Sequence, residues 1–90
     1  MDGERGMDGG DRDISQAFPL GLAREGDRVR IVALRGAPAF VRRITALGLN
    51  IGADLVVSQN EGARLVLVRG DMRLGLGAGA AHRIMVTPST

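Results

Sequence analysis

The sequence predicts a mainly β domain, a small barrel of about five strands with one α-helix after the first strand. Three observations predict this fold. Residues 28–34 alternate between apolar and polar, as a half-buried strand does. Residues 40–47 place apolar side chains at helical spacing and stop at Gly48. Residues 55–86 hold short apolar segments separated by glycine-containing turns, and a barrel would cover the edges of such strands.

The chain divides into three parts. Residues 1–17 are rich in Gly, Asp and Arg and show no hydrophobic period, so they are predicted to form a disordered leader. Residues 18–87 are predicted to form the barrel, and residues 88–90 to fray. At the start of the barrel, Phe18-Pro19-Leu20 is expected to pack onto it as a strap.

The first strand and the helix have clear signals. In the strand Arg28–Leu34, one face should carry Val29, Ile31 and Ala33. Pro38 suits the first helical position, where its missing N–H costs nothing. Gly48 can take the left-handed conformation of a Schellman stop, with Leu49 touching Ile44. The predicted apolar stripe of the helix consists of Phe40, Val41, Ile44 and Leu47.

The remaining strands are short. Four consecutive apolar residues in 65–68 predict a central strand buried on both faces. Gly70-Asp71 suits a two-residue hairpin loop with glycine first, and Gly52 is expected in a turn that needs positive φ. Residues 77–81 are expected to bend, with one short helical turn. The other apolar segments are Leu55 to Ser58, Met72 to Leu76, and Ile84 to Val86.

Composition limits the function. The twelve basic residues are all arginine, the net charge is +2, and the charge is uneven: residues 1–17 carry −3 and residues 18–90 carry +5. A basic domain can meet an acidic partner or a phosphate backbone, although a solvated surface is the commoner case. The absence of cysteine excludes disulfides and thiolate metal sites. No run of about 20 apolar residues and no signal-peptide pattern is present, so a cytoplasmic protein is expected.

No motif predicts catalysis, a cofactor or a resident metal. Gly75 to Ala80 is glycine-rich, but a dinucleotide site needs a following helix, a parallel strand and a later acid, for which the chain has no room. His82 is the only histidine, and no carboxylates cluster with it in sequence. Glu25 and Asp27 flank a turn glycine and are expected to be solvated. We therefore expect a binding module and not an enzyme.

Arg35, Arg42 and Arg43 could form a basic patch. Small barrels that bind nucleic acid usually add aromatic stacking platforms, and this chain has no Tyr or Trp. Nucleic-acid binding therefore remains an alternative and is not expected.

The segment from about Leu22 to Val86 resembles the FeoA family, ferrous iron transport protein A. The resemblance is carried by Arg42 to Gly52, which is similar to the family's helix with its Leu-Gly stop and following Gly turn. Gly70 to Leu76 and Ala81 to Val86 are similar to its last hairpin and closing strand. One departure is Ile51, where many members carry Pro before the turn glycine.

This resemblance implies an SH3-like barrel that assists FeoB, the membrane ferrous-iron transporter, by docking on its cytoplasmic part. Contact with the membrane would then be through the partner only, and the chain would be a monomer or weak dimer. The same domain type ends some iron-dependent repressors, but this chain has no helix-turn-helix ahead of the barrel. A metal-sensing module that uses His82 is a further alternative.

If the domain docks as SH3-type barrels do, loops at one end of the barrel make the contact. The residues expected to bind the partner are Arg35, Gly36, Arg42, Arg43, Leu49 and Asn50. The residues expected to act structurally are Leu47, Gly48, Gly52 and Gly70.

Overall fold

The computed structural model describes residues 16–89 of the 90-residue chain, so most of the predicted leader lies outside the described residues. Six strands and two helices follow one another in these residues. They are β1 (Phe18–Pro19), β2 (Arg28–Leu34), α1 (Pro38–Ala46), β3 (Asp54–Asn60), β4 (Arg64–Arg69), β5 (Met72–Gly77), α2 (Ala78–Ala81) and β6 (Ile84–Pro88). A 3-10 turn, Leu20–Leu22, links β1 to the chain leading into β2.

All strands form one antiparallel sheet in the order β1-β6-β2-β3-β4-β5. This is the predicted mainly β fold, and the sixth strand is the two-residue β1 inside the predicted strap. β6 is last in sequence but lies between β1 and β2. Within residues 16–89 no ladder joins the end strands β1 and β5, so the sheet wraps around its core without a continuous ring of hydrogen bonds.

The core is aliphatic, as the composition predicts. Every strand from β2 to β6 contributes at least one buried side chain, and α1 adds Phe40 and Ile44. The strap contributes Leu20, which is fully buried, while Leu22 points to solvent. No helix in the described part of the chain is long and apolar enough to cross a bilayer.

Two burial predictions are wrong in part. In β2, Val29 and Ile31 are buried as expected, but the pairing with β6 shifts register between Ile31 and Ala33. This bulge ends the strict alternation, so Val32 is buried and Ala33 is only half-buried. β4 lies between β3 and the edge strand β5, and its residues alternate between buried and half-buried. Only one face is fully covered, so the predicted burial on both faces is wrong.

The helix signals are confirmed. Pro38 stands at the start of α1 after an extended Ala37. At the other end, Gly48 has φ of +90° and its N–H donates to the carbonyl of Thr45 at 2.9 Å. The N–H of Leu49 donates to the carbonyl of Ile44 at 3.2 Å. This pair of hydrogen bonds is the Schellman motif.

The turns are also largely as predicted. Arg69 pairs with Met72 across the two-residue loop, and Gly70 has φ of +61°. Gly52 has φ of +94°. The predicted fraying at the C-terminus is wrong for the described residues: Pro88 pairs with Val29 in the sheet, and Ser89 donates from its backbone N–H to a β2 carbonyl. The third residue of that predicted segment, Thr90, lies outside the described residues.

Asn60 joins the strap to the sheet. Its amide nitrogen donates to the carbonyls of Gly21 at 3.1 Å and Ala23 at 2.6 Å, and its amide oxygen accepts from the N–H of Gly62 at 2.9 Å. One side chain thus satisfies three backbone groups that belong to no strand ladder.

Replacing Asn60 by alanine is expected to lower the free energy of unfolding by about 1–3 kcal/mol, because two partly buried carbonyls lose their donor. Urea denaturation would measure the change. The neighbouring Gln59→Ala is the matched control, since Gln59 is exposed on the same strand and should change the free energy by about 0.5 kcal/mol or less. Equal losses in both variants would contradict this role of Asn60.

Candidate docking surface

The structure separates the residues expected to bind a partner into two groups. Arg35 and Gly36 lie in the loop between β2 and α1, near the start of the helix, whereas Arg43 lies in its last turn. Leu49 and Asn50 come after its carboxyl end. α1 has nine residues, so its ends are about 13 Å apart and the two loops lie near opposite ends of one helix.

The first group gathers around Phe40. The guanidinium carbon of Arg83 lies 5.2 Å from the centre of the Phe40 ring, and that of Arg43 lies 5.7 Å from it. Both distances are within the range of cation–π attraction. Arg35 adjoins them, because its backbone N–H donates to the carbonyl of Arg83 at 2.8 Å. We call Arg35, Arg43 and Arg83 the arginine cluster.

Backbone geometry brings these residues together. β2 and β6 run antiparallel with Leu34 opposite Ile84, so the loop after β2 meets the residue before β6. Gly36 has φ of +111° and sits under the arginine: a Cβ atom there would lie 3.2 Å from Cδ of Arg83 and 3.3 Å from Phe40 Cδ2. A Cβ atom at position 36 would require Arg83 or Phe40 to shift by a few tenths of an ångström, and the positive φ there would be strained. Gly36 therefore shapes this surface.

The cluster comes from two acid-free stretches of sequence. No Asp or Glu lies between Asp27 and Asp54, or after Asp71. Among residues 16–89, the one ion pair joins Arg30 to Asp54 across β2 and β3, with Nε and Oδ1 2.8 Å apart. The hydrogen bonds from Arg30, and a weaker one from the Ser89 hydroxyl, lower the pKa of the Asp54 carboxyl. Within the same described residues, no carboxylate forms an ion pair with a member of the arginine cluster.

The structure reverses the predicted roles of two leucines near the carboxyl end of α1. Leu49, expected to bind a partner, is only 1% exposed and belongs to the core. Leu47, expected to be structural, retains 39% of its surface. The Schellman turn explains both outcomes, because reversing the chain at Gly48 directs Leu49 inward and leaves the last helical residues at the rim. Asn50 is exposed in the turn that follows α1.

Sequence reasoning missed two arginines. The sequence places Arg83 only next to the closing strand, and its contact with Phe40 depends on the pairing of residues about fifty positions apart. Arg69 donates from its guanidinium to the carbonyl of Gly48 and so caps the carboxyl end of α1. Both residues lie at strand ends, and the sequence carries no local signal for either contact.

Comparison with known proteins identifies the fold family. The model of the FeoA domain matches residues 18–88. The chain belongs to the FeoA domain family. A relative in Methanocaldococcus jannaschii named Fe(2+) transport protein A is 29% identical over 69 residues, which cover 77% of this chain and 84% of that protein. Membership in the FeoA family supports a role in ferrous iron transport.

Solved structures agree with this FeoA assignment. The crystal structure of an iron uptake regulatory protein, FeoA, superposes with a TM-score of 0.73 at 26% identity, covering 81% of this chain and 97% of that one. A manganese-dependent transcriptional repressor superposes with a TM-score of 0.75 at 22% identity, covering 81% of this chain and 41% of the repressor. The second likeness shows the SH3-like fold alone.

The structure gives little support to the two alternative functions. Phe40 is 6% exposed and flanked by guanidinium groups, so its ring offers no platform for stacking a base. His82 is exposed, with its imidazole near Gly21. In residues 16–89 no three His, Cys, Asp or Glu side chains group as metal ligands would. Glu25 and Asp27 accept hydrogen bonds from backbone N–H groups, Glu25 from Asn60 and Asp27 from Arg24.

Proposed function

We propose that this FeoA-family protein is a non-enzymatic accessory of bacterial ferrous iron uptake, located in the cytoplasm, that docks on the cytoplasmic part of a FeoB-type transporter. The arginine cluster carries the proposal. Arg43 and Arg83 flank Phe40, and the backbone of Arg35 adjoins Arg83. Among the described residues, no carboxylate forms an ion pair with any of the three arginines. Family membership supports the process in which the protein takes part.

An acidic patch on the transporter fits this surface best. Arginine forms two parallel hydrogen bonds with a carboxylate, and its stacking on Phe40 reduces the side-chain freedom lost on binding. Opposite charge also speeds the encounter of the two proteins and fixes their orientation. Arg42 is exposed next to Arg43 and extends the basic surface along α1.

Docking would affect transport through unequal affinity for the transporter's states. A bound protein shifts a conformational equilibrium only by the difference between its affinities for the two conformations. The protein would therefore favour whichever transporter state presents the acidic patch to the arginine cluster. This role needs no catalytic residue, cofactor or resident metal.

Calorimetric titration of the full chain with the transporter's cytoplasmic region tests the proposal. We expect Arg83→Glu to weaken binding about tenfold or more, because a repulsive contact replaces an attractive one. Arg43→Glu should act in the same direction. Binding should also weaken as salt rises.

Arg73→Glu on β5 is the matched control, since it makes the same charge change at an exposed arginine outside the cluster. It should weaken binding about threefold or less. Circular dichroism of each variant would verify that the fold is kept. No binding of the unaltered chain at tens of micromolar, or equal losses for Arg73→Glu and Arg83→Glu, would contradict the proposed docking surface.

A further inference from the structure

The two parts of the chain carry opposite charge. Residues 16–89 hold ten arginines and five acids, a net charge of +5. Residues 1–15 lie outside the described structure, and their sequence holds two arginines and five acids, a net charge of −3. The five acids are Asp2, Glu4, Asp8, Asp11 and Asp13. The chain thus contains its own acidic ligand for a basic surface.

The arginine cluster is a basic surface that fits this segment. Arg24 and Arg28 begin closer to it in sequence, but they flank Glu25 and Asp27, so that turn has no net charge. Arg30 is already paired with Asp54. The arginine cluster combines three arginines with no described carboxylate, and Phe40 holds two of them in place. An acidic segment that binds there forms charge-assisted hydrogen bonds with guanidinium groups whose side-chain freedom is already reduced.

The segment is long enough to reach the cluster. Phe18 pairs with Val86, and Arg83 lies three residues before Val86, about 10 Å away along the chain. β1 runs antiparallel to β6, so the preceding residues head away from Arg83 and must turn back. Asp8, Glu4 and Asp2 lie 10 to 16 residues before Phe18, and chains of that length can span at most roughly 33–53 Å.

We propose that the acidic segment of residues 1–15 binds the arginine cluster of its own chain. Each exposed ion pair contributes only about 0.2–1 kcal/mol. Because the two groups share one chain, however, the segment is present at an effective concentration of about a millimolar. The contact is therefore weak, reversible and sensitive to salt. If the cluster is also the docking surface proposed above, the segment competes with the transporter for it.

NMR of the full chain tests the contact. The comparison is between the unaltered protein and a variant with a neutralised segment, carrying Asp2→Asn, Glu4→Gln, Asp8→Asn, Asp11→Asn and Asp13→Asn. We expect the backbone amide of Gly36 and the Nε–H signals of Arg43 and Arg83 to differ between the two proteins at low salt. The differences should vanish near 1 M salt, where the Debye length is about 3 Å.

A second variant, Arg5→Gln with Arg12→Gln, keeps all five acids and is the matched control. Its signals at the cluster should differ from those of the neutralised variant at least as much as the signals of the unaltered protein do. Identical spectra for the unaltered and neutralised proteins would overturn the inference, as would changes confined to the turn at Arg24 and Arg28. Differences that disappear on dilution would also overturn it, because they would assign the contact to a second copy.

Calorimetry with the transporter's cytoplasmic region separates this inference from the proposed function. Competition predicts that the neutralised variant binds several-fold more tightly than the unaltered chain. If the NMR differences are present and neither protein binds the transporter, the segment contact stands and the proposed function fails. If the spectra are identical while Arg83→Glu still weakens docking, the proposed function stands and the segment contact fails.

Discussion

Replacing Leu49 by alanine is expected to lower the free energy of unfolding by about 2–5 kcal/mol. The side chain is 1% exposed and lies in the same core cluster as Ile44 and Phe40 of α1. Truncation removes buried methyl groups and leaves a cavity where the chain leaves the helix. A domain of this size has a total stability of only about 5–15 kcal/mol, so a large share would be lost. Urea denaturation monitored by circular dichroism would measure the effect.

Leu47→Ala is the matched control for this experiment. It removes the same atoms two residues earlier, from a side chain that keeps 39% of its exposure. Its expected cost is about 1 kcal/mol or less. A greater loss from Leu47→Ala than from Leu49→Ala would mean that Leu47, and not Leu49, is packed in the core.

Replacing Gly48 by valine is expected to lower the free energy of unfolding by about 2–3 kcal/mol. The residue has φ of +90°, which a β-branched side chain rarely adopts. A Cβ atom there would also lie 3.2 Å from a guanidinium nitrogen of Arg69 and 3.6 Å from Cε of Met72. The substitution would therefore strain the turn and displace the arginine that caps α1. Thermal and urea unfolding would both report the loss.

Two other glycine positions distinguish backbone strain from steric contact. Gly52→Val meets a similar φ of +94° with no atom within 4 Å, so its loss measures backbone strain alone. Gly79→Val in α2 has neither a positive φ nor a close neighbour and should change the free energy by about 0.5 kcal/mol or less. A loss at Gly48 no greater than that at Gly79 would show that the Schellman stop is not strained. A loss equal to that at Gly52 would show that the contacts with Arg69 and Met72 add nothing to the strain.

Features encoded by neighbouring residues were predictable from the sequence. The strand Arg28–Leu34, the start of α1 at Pro38 and the loop at Gly70-Asp71 each depend on a few adjacent residues with restricted backbone angles. The Schellman stop is of the same kind, since its glycine and its apolar partner lie within six residues. The family resemblance added the SH3-like barrel and the link to ferrous iron transport, and both are confirmed.

Features that depend on distant pairing were not predictable. Arg83 meets Arg35 only because β6 pairs with β2, and no local pattern states which strands are neighbours. The bulge in β2 likewise arises from its partner and buries Val32 against the alternation. The exchange between Leu47 and Leu49 had a different cause. The Schellman motif predicts that Leu49 contacts Ile44. That contact buries Leu49, so its side chain is not available to a partner.

The position of β6 has a consequence for synthesis. Residues 84–88 leave the ribosome after every other strand, yet they lie between the first and second strands of the sheet. Until they emerge, β1 has no partner and one edge of β2 is open to pairing with other chains. The nascent domain must therefore wait for its final few residues before the barrel can assemble.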